Sequence, residues 1–126
     1  MLVEGAGGLL SPVAEQETVA DLAVDLGYPL LIVAADRLGT INHALLTAEA
    51  AHARGLTVAG IVLNRMRDVR DPLSDGNAVE IARRCPVNLL GVVEFGGHQV
   101  LRPGGEGAKI DWMRLATERS SRRMET

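Results

Sequence analysis

Apolar positions along the chain fall into two spacings that alternate. Between Thr18 and Leu26, the residues Val19, Leu22, Ala23 and Leu26 recur at helical intervals and predict one buried helical face. Gly27 suits the C-cap of that helix, and Pro29 prevents its continuation. Leu30 to Ala35 then runs apolar without interruption, as a strand does when both of its faces are covered in a parallel sheet. The same alternation continues with a helix over Asn42 to Arg54 ending at Gly55, and a strand over Thr57 to Leu63. A helix over Asp75 to Arg84 closed by Pro86, a strand over Val87 to Val93 and a final helix over Ile110 to Arg123 complete it. The basic end of the last helix complements the negative pole of its dipole, and Arg119, Arg122 and Arg123 read as a solvated helix end. Gly96 to Gly107 is rich in glycine and is expected to be a mobile loop.

Strands separated by helix-length segments require crossover connections, hence parallel pairing and an α/β fold in three layers. The three main strands are expected to form one parallel sheet, buried on both sides, with helices on both faces. A chain of 126 residues fits a single domain spanning 1–126. Hydrophobic residues make up 47% of it, enough for a core, yet Tyr28, Phe95 and Trp112 are its only aromatics. The core must therefore be aliphatic. The same scarcity argues against single-stranded nucleic-acid binding, which uses aromatic stacking. A formal charge of -3 offers no basic face to a polyanion, so no nucleic-acid partner is expected. Cys85 stands alone, which suits a reducing cytoplasm. The apolar runs are too short to span a bilayer, and no membrane partner is expected.

Candidate chemistry begins with Glu4-Gly5-Ala6-Gly7-Gly8, directly after the short apolar lead Met1-Leu2-Val3. Ligands of open parallel sheets gather outside the carboxyl ends of strands. There a carboxylate can hold Mg²⁺, and glycines let a phosphate or substrate come close to the backbone. A tight turn with one exposed glutamate explains the same five residues. His43, His52 and His98 form no short ligand pair and are not expected to bind metal; His43 is expected to pack or hydrogen-bond within its helix.

Context sharpens the reading. The runs Leu2-Val3-Glu4-Gly5-Ala6-Gly7-Gly8, Leu38-Gly39-Thr40-Ile41-Asn42-His43-Ala44-Leu45-Leu46-Thr47-Ala48 and His52-Ala53-Arg54-Gly55-Leu56-Thr57-Val58-Ala59-Gly60, with Val62-Leu63-Asn64, resemble the dethiobiotin synthetases in order and spacing. The resemblance is strong from Leu2 to Asn64 and looser to about Phe95. It implies a parallel sheet of the P-loop NTPase type, truncated at the N-terminus. It also implies ATP as a substrate, Mg²⁺ as the metal and a homodimer. By resemblance, Glu4 helps bind the metal and the nucleotide, and Gly5, Ala6 and Gly7 lie against the phosphates and, at Gly7, the diamine substrate. Asn42 reaches across the dimer to the partner's substrate. Asn64, with its neighbour Arg65, contacts adenine. Each has a simpler alternative: Asn42 as a helix cap, Asn64-Arg65 as an ordinary strand-end turn. Arg67 stands where a guanine-reading motif needs an acid, which disfavours GTP.

Two departures from the family pattern stand out. No GxxxxGK[ST] loop occurs, and Lys109 is the only lysine, so the P-loop and the catalytic lysine are missing and no catalytic residue is assigned. Glu94 occupies a position next to the adenine where the family usually has proline. In such folds the P-loop strand lies between the strand before the Glu4 turn and Leu30 to Ala35. Met1 to Val3 is therefore expected to lack a regular partner, and the Glu4 turn to be loose or rescued by a foreign strand.

The family reaction carboxylates a 7,8-diamino acid with CO₂ and closes the ureido ring at the expense of ATP. This chain is expected to be inactive alone. It would serve as part of such a ligase, as one subunit of a split ligase completed by a P-loop-bearing chain, or as a non-catalytic dimerisation or nucleotide-binding module. A native protein longer than the sequence from Met1 is a further alternative.

Overall fold

The computed structural model describes residues 1–68, 72–103 and 105–117, apart from the side chains of 72–75. Its elements follow the order α1 (Val19–Leu26), β1 (Leu30–Ala35), α2 (Thr40–Ala53), β2 (Val58–Asn64), α3 (Pro72–Arg84), β3 (Leu89–Val93), β4 (Val100–Leu101) and α4 (Trp112–Thr117). One four-stranded sheet has the spatial order β1-β2-β3-β4. The pairs β1–β2 and β2–β3 are parallel, and β4 adds antiparallel to β3. The α/β class and the parallel pairing of the three apolar runs are as expected.

The core lies between one face of this sheet and the helices α2 and α3. The register sets Ile32 beside Ile61 and Ala34 beside Leu63, with Val92 beyond Leu63. Against this row pack Ala44 and Ala48 of α2 and Ala78 and Ile81 of α3, with Cys85 just past the end of α3. Small residues at i and i+4 on α2 bring that helix close to its neighbours, so Ile61, Leu63 and Ile81 are fully enclosed. Each such aliphatic side chain contributes about 1.5–3 kcal/mol by leaving water.

Helix α1 starts and stops as the sequence indicates. Thr18 is its N-cap and Gly27 its C-cap. The Asp21 carboxylate accepts hydrogen bonds from the Thr18 backbone at 2.8 Å and from the Thr18 hydroxyl at 2.7 Å. Arg54, the C-cap of α2, pairs with the same carboxylate and ties the two helices together.

Several expectations are corrected. The helix expected from Asn42 begins at Thr40, with Gly39 as its N-cap, so Asn42 is an exposed residue of the first turn and not a cap. Helix α3 starts three residues earlier than Asp75. Helix α4 starts at Trp112, and the expected continuation to Arg123 lies outside the described residues. The glycine-rich loop contains β4, whose carbonyl at Val100 accepts the Ala108 N–H at 2.9 Å.

The largest correction concerns β1, which is not buried on both sides. Leu31 is 41% and Val33 62% exposed, while Ile32 and Ala34 on the opposite face pack on the core. Among the described residues β1 pairs with β2 alone, so it forms the edge of the sheet. Met1–Val3 form no strand.

Candidate functional site

The carboxyl ends of β1, β2 and β3 converge on one polar cluster. Each of these strands runs apolar up to its end and then releases a polar residue: Asp36 after β1, Asn64 and Arg65 at and after β2, and Glu94 after β3. Parallel pairing brings these ends to one edge of the sheet. The ladder continues past the strands: the Asp36 N–H donates to the Asn64 carbonyl at 2.8 Å, and the Arg65 N–H donates to the Val93 carbonyl at 2.9 Å.

Arg65 is the centre of the cluster. Its Nε donates to Asp36 Oδ2 at 3.3 Å and its Nη1 to Glu94 Oε2 at 3.1 Å. The Asp36 side chain has no exposed surface and that of Arg65 has 13%, whereas Glu94 keeps 41%. Asn77 of α3, itself buried, completes the inner half by donating from Nδ2 to Asp36 Oδ1 at 2.9 Å. Among the described residues, two carboxylates and one guanidinium make up the charged part of the cluster. Pairing with Arg65 explains how Glu94 can stand at this edge, because a neighbouring cation lowers the cost of its charge.

Asn64 presents its side chain at the rim, where Nδ2 lies 3.6 Å from the Met66 sulfur. Beyond Glu94 the chain turns at Gly97, His98 and Gln99, which with Leu101 line a shallow cleft of about 350 Å³. The cleft is open and small, and Glu94 is the residue it shares with the polar cluster.

The structure therefore brings Asn64, Arg65 and Glu94 together. It does not link Glu4 or Asn42 to them by any hydrogen bond or ion pair among the described residues. Glu4 is exposed in the segment before Val19. Gly7 there has φ 85°, a left-handed conformation open to glycine, and a Cβ on it would press on the Ser11 hydroxyl at 2.7 Å. Gly5 lies against Val19, where a Cβ would stand 2.6 Å from its Cγ1. The segment is anchored behind the glycines: Ser11 N–H donates to Gly8 carbonyl at 3.1 Å and Ala20 N–H to Leu9 carbonyl at 2.8 Å. Ala6 is exposed between them.

Sequence reasoning missed Asp36 and Asn77. Asp36 carried a usable signal, since it is the first polar residue after an apolar strand and sits at the edge where ligands of open α/β sheets gather. Asn77 carried none, because its burial depends on how α3 is seated. Among the described residues, no three His, Cys, Asp or Glu side chains are grouped to hold a metal ion.

A family model described as an AAA domain matches residues 1–97. Among curated relatives, the ATP-dependent dethiobiotin synthetase BioD of Anaeromyxobacter dehalogenans (strain 2CP-1) is 57% identical over 93 residues, covering 71% of this chain and 42% of the relative. That of Aromatoleum aromaticum is 47% identical over 96 residues, covering 74% and 41%, and that of Bacillus subtilis (strain 168) is 44% identical over 91 residues, covering 72% and 39%. The chain thus spans about two fifths of the length of these relatives. The chain belongs to the AAA domain family, and its sequence places it with the dethiobiotin synthetases.

Proposed function

We propose that this chain is the adenine- and substrate-facing part of an ATP-dependent dethiobiotin synthetase, which carboxylates 7,8-diaminopelargonate with CO₂ and closes the ureido ring. The observation that carries the reading is the convergence of Asn64, Arg65 and Glu94 at the carboxyl edge of the parallel sheet. This is where ligands of open α/β sheets bind. Asn64 offers both a donor and an acceptor to a base edge, and Arg65 is held in one orientation beside it. Glu4 would supply one carboxylate oxygen to Mg²⁺, which takes few protein ligands and completes its shell with water and phosphate oxygens. When bound, the ion neutralises phosphate charge. The exposed backbone of Gly5, Ala6 and Gly7 beside Glu4 would lie against the phosphates and, at Gly7, the diamine. Asn42, exposed on the first turn of α2, is free to meet substrate held by a second copy in a homodimer.

The chain contains no GxxxxGK[ST] sequence, and that loop supplies the N–H groups and the lysine that stabilise charge during phosphoryl transfer. The purified chain alone should therefore form no dethiobiotin from diamine, CO₂ and MgATP. The uncovered face of β1 favours completion by a P-loop-bearing polypeptide, over a solitary binding module. Mixing the chain with the P-loop half of a relative should restore product formation, and Glu4→Ala should abolish it. Turnover by the chain alone, or full activity of the Glu4→Ala mixture, would overturn these assignments. A cytoplasmic location fits such a ligase; among the described residues no helix is long and apolar enough to cross a membrane.

A further inference from the structure

Asp36 touches both members of the Asn64-Arg65 pair, and by different means. Its backbone N–H holds the Asn64 carbonyl at 2.8 Å, and its carboxylate holds Arg65 Nε at 3.3 Å. The other carboxylate oxygen accepts from Asn77 Nδ2 at 2.9 Å, and the side chain has no exposed surface. A charge so fully removed from water persists only where its partners offset the loss of hydration. A surface cap or loop turn needs no such buried carboxylate. A strand-end arginine left in solvent would sample many rotamers. Here its inner nitrogen is fixed, and Nη1 remains for Glu94 at the open side.

We infer that Asp36 is a positioning residue for nucleotide recognition, an inference that rests on the adenine reading of Asn64 and Arg65. Its backbone N–H pins the Asn64 carbonyl and its carboxylate fixes Arg65, the next residue, so the strand-end turn that carries Asn64 is held at both of its ends. It also holds Arg65 as the cation that offsets Glu94 beside the ligand. Ordering these groups before binding removes part of the entropic cost of recognition. Asn77 in turn orients Asp36, so the specificity of a strand-end asparagine is set from a helix that need not touch the ligand.

The test compares the full chain with Asp36→Asn, which keeps the shape and removes the charge. Calorimetry with MgATP and MgGTP measures base preference, which a purely structural role would not change in a variant that remains folded. Nuclear magnetic resonance of Arg65 Nε–H and the Asn64 side-chain amide reports the turn without ligand. Asp36→Asn should weaken ATP binding by about tenfold, the scale of a lost charge-assisted hydrogen bond, with little effect on GTP. It should also speed exchange of the Arg65 Nε proton. A folded Asp36→Asn that keeps both the ATP preference and the wild-type exchange rate overturns the inference. Wild-type chain that binds neither nucleotide even when joined by the P-loop half of a relative overturns the adenine reading instead, and the resonance comparison then decides the role of Asp36 in the turn. Should Asp36→Asn not fold, Asn77→Ala removes only the orienting partner. It should shift both readouts in the same direction more weakly, and unchanged values would count against Asp36.

Discussion

Truncating Arg65 would leave the enclosed carboxylate of Asp36 with Asn77 but without its cation. Breaking a buried pair from one side costs about 3–5 kcal/mol, much of it the unpaired charge left behind. Because Asn77 remains as a partner, Arg65→Ala is expected near the lower end, read as a fall in the urea midpoint. The double variant Asp36→Leu/Arg65→Met should recover most of that loss, since it removes both charges; a loss as large as that of Arg65→Ala would show that the carboxylate is not the cause. Asp21 gives a pH-dependent counterpart at the surface. The Thr18 hydroxyl bond, then the Thr18 backbone bond, hold its carboxyl below the ordinary carboxylate value against an opposing effect of burial, and pairing with Arg54 lowers it further. A lowered folded value means that its stabilisation is fully present above the ordinary carboxylate range and is lost as the pH falls through the lowered value. Asp21→Asn should therefore reduce stability at neutral pH and lessen the loss on acidification from pH 5 towards pH 2. An acid limb identical to wild type would sink this account of the α1 cap.

At the scale of elements, β3 and β4 meet through Gly91. This residue has φ 153°, and a Cβ on it would collide with the backbone carbonyl of Leu101 and stand 2.7 Å from Val100 Cγ1. A backbone obstacle cannot rotate away as the end of a side chain can. Gly91→Ala is expected to cost about 1–3 kcal/mol and to unpair Val100 and Leu101 from β3 before the rest of the sheet opens. Hydrogen exchange resolved by residue would show this; unchanged protection around β4 would contradict it. Elements of this kind mark the limit of what was legible in the sequence. The strands β1, β2 and β3 announce themselves because each is a bounded aliphatic run, and α1 because its cap residues flank a periodic face. Two-residue β4 has no periodicity to read, and it exists because Gly91 lets Leu101 approach. Asn42 is a favoured cap, which draws the reading of the α2 start to it, whereas the chain caps with Gly39 and the next residue, Thr40, already turns inward. Of the site, Asn64, Arg65 and Glu94 were legible by resemblance. Asp36 and Asn77 were not, since only the folded register shows that a carboxylate at a strand end is enclosed and paired.

For the whole molecule, the decisive feature is a strand written for two covered faces and enclosed on one. Leu31 and Val33 alternate with Ile32 and Ala34, yet only the latter two meet the core. Among the described residues the edge position of β1 also leaves backbone groups unpaired beside this apolar strip, a combination that invites another strand. Exposed apolar residues in a parallel strand are uncommon because crossover helices normally cover them. The chain also spans about two fifths of the length of its relatives, so ample polypeptide exists in them to occupy such a surface. Val33 is the sharper probe, being 62% exposed in this chain. In isolation Val33→Glu should change stability by no more than about 0.5 kcal/mol, as at other surface positions. Towards a P-loop-bearing half the same change should be severe, because the carboxylate would lose water on docking without gaining a partner. Binding of that half, followed by analytical ultracentrifugation, should therefore fall at least about tenfold for Val33→Glu while both folded chains keep their own unfolding midpoints. If Val33→Glu unfolds the isolated chain, β1 is already covered by its own residues. If it docks as tightly as wild type, the completing polypeptide sits elsewhere than on this face.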